Sequence, residues 1–311
     1  MSELKKTLLI GGAGFIGSHM IPYLKQVGRE VTIVGRSAVT KQDIDPSVKY
    51  VQGDFGTLDF IAPLIEAHDE VVLLAYATVP NTSYDDPLAD LKENLYPSVQ
   101  LFIEIAKRGK KLVLVSSGGT VYGEQVYDKT KETMNKSPIS SYGLTKLTLE
   151  NYAFLYGVLH GLKFVIVRPT NAYGVGQKPF AGQGFIATAV ACAKLNMPIS
   201  IFGETGTIRD YVYVTDLARG IVAVLTKGRL SDAYNISTGI GYSNLDIVNK
   251  LNRILKQFGA SLKVNHLPER PFDVKANILE NAKIQKHTNW QPEIDLDQGL
   301  TLIVNDVFKH S

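Results

Sequence analysis

Tyr142 and Lys146 stand four residues apart in the segment Tyr-Gly-Leu-Thr-Lys. On a helix that spacing puts both side chains on one face, so a phenol and an ammonium can converge on one ligand. The positive charge stabilises a tyrosinate and lowers the phenol's pKa, which makes an acid/base usable near neutral pH. A second constellation lies at the start of the chain, in Leu8-Leu9-Ile10-Gly11-Gly12-Ala13-Gly14-Phe15-Ile16-Gly17. Without a Cβ, Gly11 and Gly14 let the backbone approach a pyrophosphate, and Gly17 lets a helix pack closely on a strand. A helix opening at Phe15 and Ile16 then offers free N–H groups and partial positive charge to phosphates. The expected ligand is a dinucleotide.

NAD sites commonly carry Asp or Glu at the end of the second strand, where it bonds the ribose 2′-hydroxyl. Here the run 31–34 is followed by Gly35, Arg36 and Ser37, with no carboxylate. Arg36 and Ser37 suit the 2′-phosphate of NADP, whereas an Arg36 that stacks on the adenine accepts either cofactor. NAD and NADP both stay open at this point.

These groups need a scaffold, and the first half of the chain supplies one. Runs at 8–10, 31–34, 48–51, 71–75, 112–116 and 164–167 are rich in Val, Ile and Leu. They read as parallel strands covered on both faces. Helix-like stretches at 15–27, 59–67, 90–108 and 142–160 alternate with them, which predicts a doubly wound α/β fold of Rossmann type. After Arg168 the texture changes: 171–184 is rich in Gly, Pro and polar residues and reads as an ordered loop rather than sheet. The stretch 240–311 mixes one clear helix, 244–258, with short strands and loops. The expected division is a dinucleotide-binding domain over 1–170, to which about 210–239 returns. A smaller substrate-binding lobe takes 171–209 and 240–311.

Bulk properties narrow the function classes. The 311 residues are 45% hydrophobic and 20% charged, with a net charge of +3. That excess is too slight, and its lysines too dispersed, for nucleic-acid binding. No apolar run approaches the roughly 20 residues needed to cross a bilayer, and the polar opening residues do not read as a signal peptide. A lone cysteine, Cys192, in an apolar helical run reads as core and fits a reducing cytoplasm. The six histidines lack metal-ligand spacing.

Taken in order, the motifs resemble the nucleotide-sugar epimerase/dehydratase family of extended short-chain dehydrogenases/reductases, and its UDP-glucose 4-epimerase-like members most. The resemblance rests on Gly11 to Gly17, Gly53-Asp-Phe55, Ser116-Ser-Gly-Gly-Thr-Val-Tyr-Gly123 and Tyr142 to Lys146. It continues in Arg168-Pro-Thr-Asn171-Ala-Tyr-Gly174, Arg209-Asp-Tyr-Val-Tyr-Val214 and Arg270-Pro-Phe-Asp273. It implies that Asp54 and Phe55 contact the adenine, that Ala75 lies beside the cofactor and that Asn94 lies below its nicotinamide half. Asn171, Arg209, Arg270 and Asp273 match positions that grip the substrate's nucleotide diphosphate. Alternatively, Arg209 forms a surface ion pair with Asp210. Ile201 and Phe202 resemble the apolar pair against which the base packs, although core packing explains them equally. The resemblance also implies a homodimer built on the helices at 90–108 and 142–160.

One position departs from the family pattern. The usual catalytic Ser or Thr is Gly118 here, a residue that also suits a left-handed backbone which serine resists. Thr120 and Ser117 are the substitutes, with Thr120 the expected relay between Tyr142 and the sugar. Gly119 and Thr120 replace the Asp-Glu of the family's dehydratases, which disfavours 4,6-dehydration. The expectation is a nucleotide-sugar 4-epimerase of the UDP-hexose class, working through a 4-keto intermediate. An NADPH-dependent 4-ketosugar reductase is the alternative, and a catalytically inactive cofactor-binding regulator is the third reading.

Overall fold

The computed structural model describes residues 4–38, 45–125, 128–269 and 274–309. Its first half alternates strand and helix: β1 (Lys5–Ile10), α1 (Phe15–Gln26), β2 (Arg29–Gly35), β3 (Lys49–Gln52), α2 (Leu58–Glu66) and β4 (Glu70–Leu73). Two short helices follow, α3 (Pro80–Asp85) and α4 (Pro87–Asp90), then a π turn (Leu91–Leu95) and α5 (Tyr96–Lys107). β5 (Lys111–Val115), α6 (Ser141–His160) and β6 (Lys163–Pro169) complete the pattern. The second half opens with β7 (Asn171–Tyr173), α7 (Phe185–Lys194), β8 (Ile199–Phe202), β9 (Ile208–Tyr213) and α8 (Val214–Lys227). It continues with β10 (Asp232–Ile236), β11 (Gly241–Ser243), α9 (Asn244–Leu255), β12 (Val264–Leu267), β13 (Ala276–Asn277), α10 (Ala282–Thr288) and α11 (Leu296–Lys309).

Seven strands form a parallel sheet in the order β3-β2-β1-β4-β5-β6-β10. The apolar runs are continuous because successive residues feed opposite cores. Leu9, Ile33, Val72, Val113 and Val165 pack with α1 and α8 on one face. Leu8, Ile10, Val71, Leu112 and Ile166 pack with α2, α5 and α6 on the other. A third core joins α7, α9, α11, β8 and β9 through Ile186, Val190, Ile201, Leu251, Leu300 and Val304.

Four details differ from the sequence reading. The stretch 90–108 is not one helix. Pro97 has no N–H to give, and just before it the ladder slips into a π turn in which the Tyr96 N–H bonds the Leu91 carbonyl. The loop expected at 171–184 begins as strand β7, paired in parallel with β9 because Tyr173 is buried in the third core. Two further helices, α10 and α11, follow α9; in α11 the buried stripe Leu296, Leu300, Ile303, Val304 has plain helical spacing. Finally, β9 belongs to a small sheet with β7, β11 and β13, whereas α8 and β10 lie with the large one. No helix among the described residues is long and apolar enough to cross a membrane.

Candidate active site

The turn after β1 is built for close approach. Gly11 has φ +82°, and a Cβ there would lie 2.6 Å from the Ala75 nitrogen at the end of β4. Gly17 faces the Gly12 backbone, which an added Cβ would meet at 2.5 Å, so α1 can only sit this near the turn with glycine at 17. A Cβ on Gly14, by contrast, would meet only the Gly11 carbonyl at 3.2 Å, leaving its outer side open. Gly14 caps α1 without a side-chain hydrogen bond, and the first turn, which holds Phe15 and Ile16, carries no acid. Uncapped N–H groups at an open glycine turn fit a dinucleotide pyrophosphate. Asp54 is held in a tight turn by the Gly56 N–H at 2.9 Å, and Phe55 packs partly buried on the core beneath it.

The end of β2 has a steric reason to lack an acid. A Cβ on Gly35 would lie 2.8 Å from the Tyr50 hydroxyl, which itself donates to the Ser37 carbonyl at 2.7 Å. Tyr50 therefore occupies the space into which an acidic side chain at 35 would grow. Arg36 is exposed beside it.

The Tyr142–Lys146 pair sits in the first turns of α6, capped by the Ser140 hydroxyl, which accepts from the Gly143 N–H at 3.1 Å. The Tyr142 N–H donates to Ser83 at 3.2 Å, and Gly143 lets the turn lie against the Thr120 carbonyl. Lys146 is buried and donates to the Val115 carbonyl, at the end of β5, at 3.0 Å. Burial pulls its pKa down to about 7, against the opposing charges of Asp90 and Glu150. Burial also pushes the Tyr142 phenol up, as does Asp90, while a hydrogen bond with Ser117 pulls it down. Without a further positive charge nearby, Tyr142 is therefore a protonated acid at neutral pH.

The hydroxyl question takes a definite shape. Ser117 is close enough to Tyr142 to favour its ionised form, whereas the Thr120 hydroxyl is buried with no partner. The amide nitrogen of Asn171 is likewise buried and unpartnered. A Cβ on Gly119 would lie 3.8 Å from the Asn171 Oδ1 and 3.9 Å from the Ser117 Oγ, so these two side chains flank one small space. Gly118 does not adopt the left-handed backbone considered from the sequence. Its constraint is packing: a Cβ would lie 2.3 Å from Leu279 Cδ1 and 2.9 Å from the Arg168 carbonyl oxygen. We expect Gly118→Ser to destabilise the protein by about 1–3 kcal/mol without improving turnover. Urea titration and an activity assay check this; a stable, faster variant would contradict it.

The remaining predicted residues divide. Just after β4, Ala75 lies against the Gly11 turn, and two residues on the Ala77 N–H donates to the Asn94 Oδ1 at 2.7 Å. Arg209 donates to the Ile208 carbonyl at 2.8 Å and pairs in register with Asn277, whose amide reaches the Gly118 carbonyl at 3.2 Å. The surface ion pair Arg209–Asp210 is not what the structure holds. Asp210 is fully buried and accepts from Thr238, Gly239 and Leu279 backbone N–H groups, with its pKa raised to about 6 by burial. Ile201 is a core residue, whereas Phe202 is only partly buried. Arg270 and Asp273 lie outside the described residues.

Two residues at this site escape the sequence reading. The ring of Tyr76 has the Lys146 ammonium 3.8 Å from its centroid and stands edge-on to Tyr142 at 5.0 Å. Asp90, fully buried, accepts from Tyr76 at 3.2 Å, from Thr145 at 2.6 Å and from Thr78. The one available signal was the helical spacing of Asp90 and Asn94, whose side-chain amide bonds the Asp90 carbonyl at 3.0 Å.

The seven-stranded parallel sheet with its glycine turn defines a Rossmann-type dinucleotide-binding enzyme fold. The profile of the NAD dependent epimerase/dehydratase family matches residues 7–237. A putative UDP-glucose 4-epimerase of Methanocaldococcus jannaschii is 32% identical, over 96% of this chain and 97% of its own. The structure of Thermus thermophilus UDP-glucose 4-epimerase in complex with NAD superposes with a TM-score of 0.89 at 29% identity, covering 98% of this chain and 99% of that one. A dTDP-4-dehydro-6-deoxyglucose reductase of Escherichia coli is 28% identical over 96% of both chains. The chain belongs to the NAD-dependent epimerase/dehydratase family.

Proposed function

We propose that the protein is a nucleotide-sugar 4-epimerase of the UDP-hexose class, with Tyr142 as its acid/base. The observation that carries this reading is the convergence of Tyr142, Lys146 and Ser117 at the end of β5, next to Asn171 with its unpartnered amide. Tyr142 takes the proton of the C4 hydroxyl and returns it to the C4 oxygen after the 4-keto sugar has turned and received the hydride on its other face. Lys146, already desolvated, supplies the charge that makes the phenolate accessible. A bound nicotinamide supplies the hydride acceptor and donor at C4. Asn171, Arg209, Arg270 and Asp273 are assigned to the nucleotide diphosphate, and forked guanidinium groups suit its oxygens. Exposed Tyr96 on α5 and Val158 and Leu159 on α6 support a homodimer through those helices.

A second reading, NADPH-dependent reduction of a 4-ketosugar, is favoured by the side-chain space at Gly35 being filled by Tyr50 and by exposed Arg36 alongside. Mass spectrometry of ligands released from freshly purified, denatured protein separates the two. Co-purified NAD+ with interconversion of UDP-hexoses supports the epimerase. Protein that carries no NAD+ and consumes added NADPH with a 4-ketosugar supports the reductase.

The relay is tested separately. Ser117 lies beside the phenol and favours its ionised form, so Ser117→Ala is expected to lower turnover by on the order of 10²-fold, the usual contribution of an acid–base relay. Thr120→Val preserves the β-branched shape and is expected to act mainly on the Michaelis constant. The reverse pattern would return the relay to Thr120.

A further inference from the structure

We infer that Tyr76 is a positioning residue for the Tyr142–Lys146 pair, with its ring capping the Lys146 ammonium and its hydroxyl moored to Asp90. The inference rests on the assignment of Tyr142 as acid/base. Its basis is a set of contacts that no sequence motif announces. The Lys146 Nζ lies 3.8 Å from the Tyr76 ring centroid but 5.7 Å from that of Tyr142. The same Tyr76 ring meets Tyr142 edge to face, with centroids 5.0 Å apart and planes at 70°. One aromatic side chain thus touches both members of the pair.

Tyr76 is itself fixed. Its hydroxyl reaches Asp90 Oδ1 at 3.2 Å, and that carboxylate is buried and also holds Thr78 and Thr145. Asn94 closes the arrangement by binding both the Asp90 carboxylate, at 3.2 Å, and the Ala77 N–H. The loop that carries Tyr76 is therefore tied to the helix segment beside α6, and its ring cannot swing away without breaking that hydrogen bond to a buried carboxylate.

The physical effect follows from the ring's quadrupole. An electron-rich face stabilises an ammonium, and it does so most strongly where water is excluded. The charged and titratable groups facing Lys146 are Asp90 from α4, Glu150 and Tyr142 from α6, and Tyr76 from the end of β4; Glu150 is in turn paired with Arg168 of β6. Burial works against the lysine's charge, and the two carboxylates and the Tyr76 face work for it. The tyrosinate–ammonium state and the neutral tyrosine–amine state of the pair hold the same number of protons. Anything that stabilises the ammonium therefore raises the tyrosinate fraction at a given pH. Tyr76 does this through contact with its ring, and its own phenol, pushed up by burial and Asp90, stays protonated.

The test replaces Tyr76 by Leu, by Phe and by a ring-fluorinated phenylalanine, which keeps the shape of Phe but has an electron-poor face. The primary readout is tyrosinate absorbance of the cofactor-loaded protein, with Tyr142→Phe subtracted as the blank, so it needs no turnover. Tyr76→Leu and the fluorinated ring are expected to lower the tyrosinate fraction at neutral pH several-fold, and Tyr76→Phe to keep most of it. In the turnover assay, the alkaline limb should move to lower pH by roughly one unit in the first two. kcat should fall about tenfold with little change in KM for the nucleotide sugar. Equal tyrosinate fractions for Phe and its fluorinated analogue overturn the inference, even if Tyr76→Leu fails to fold. A tyrosinate signal equally large in Tyr142→Phe, so that the subtraction leaves nothing, would instead overturn the assignment of Tyr142.

Discussion

Replacing Tyr142 by phenylalanine is expected to abolish turnover, with a loss of at least about 10³-fold in kcat, while cofactor affinity stays within a few-fold. General acid–base catalysis contributes on the order of 10²–10⁴-fold, and here the same oxygen must both remove and return the proton. The ring would remain in place, because it packs edge-on to Tyr76 and follows the Ser140 cap of α6. Steady-state assays with UDP-hexoses, alongside fluorescence titration with reduced cofactor, separate the two effects. Wild-type-like turnover in Tyr142→Phe would remove this residue from the chemistry. A parallel collapse of cofactor affinity would show that the phenol serves mainly to bind.

The largest stability effect is expected at Glu150. Arg168 and Glu150 are both essentially inaccessible and meet at 2.6 Å, with further bonds from Arg168 to Tyr122 at 2.8 Å and from Tyr122 to Asn235 at 2.7 Å. Burial works against the guanidinium charge, and the bonds to Glu150 more than offset it. Glu150→Gln leaves that charge buried opposite a neutral amide, a situation that costs about 3–5 kcal/mol. Denaturant melting of the single variant should show this loss. The double variant Glu150→Gln/Arg168→Met should recover part of it, since removing both charges is commonly far milder than removing one. A single variant as stable as the parent would mean that water or another carboxylate reaches Arg168.

Those contacts also show where sequence reasoning reaches and where it stops. Five of the six strands of the first half are legible because both their faces are buried, which leaves runs such as Leu112-Val-Leu-Val115 with no polar gap, whereas β3 is an edge strand with no fully buried residue. The glycine turn was legible because its constraint is local: Gly11 needs a positive φ and Gly17 needs the Gly12 backbone beneath it. The break in 90–108 was also written locally, at Pro97, but the run's strong apolar periodicity masked it. Helix α11 carries a readable stripe, Leu296, Leu300, Ile303 and Val304, but it stands among short strands and loops whose mixed composition hides it.

Tyr76 and Asp90 were invisible for a different reason. Their roles exist only once the end of β4 and a turn of helix come to the same side of α6, more than 50 residues later in the chain. Gly118 illustrates the same limit: its type suggested backbone freedom, but the structure shows crowding by Leu279 and by the carbonyl of Arg168. Spacing predicts what neighbours along one element can do. It is silent about what tertiary approach forbids.

The pairing of α1 with α8 has a consequence for how the protein is made. Met20, Ile21 and Leu24 of α1 are covered by Leu217, Ala218 and Ile221 of α8. On a ribosome, that cover is translated roughly 200 residues after the surface it must close, a delay on the order of 10–40 seconds at ordinary elongation rates. During that interval the nascent chain can form the first strands of the large sheet, but it must hold one greasy helix face bare. Chaperone dependence during synthesis, rather than marginal stability of the finished enzyme, is thus the expected bottleneck when this protein is expressed quickly.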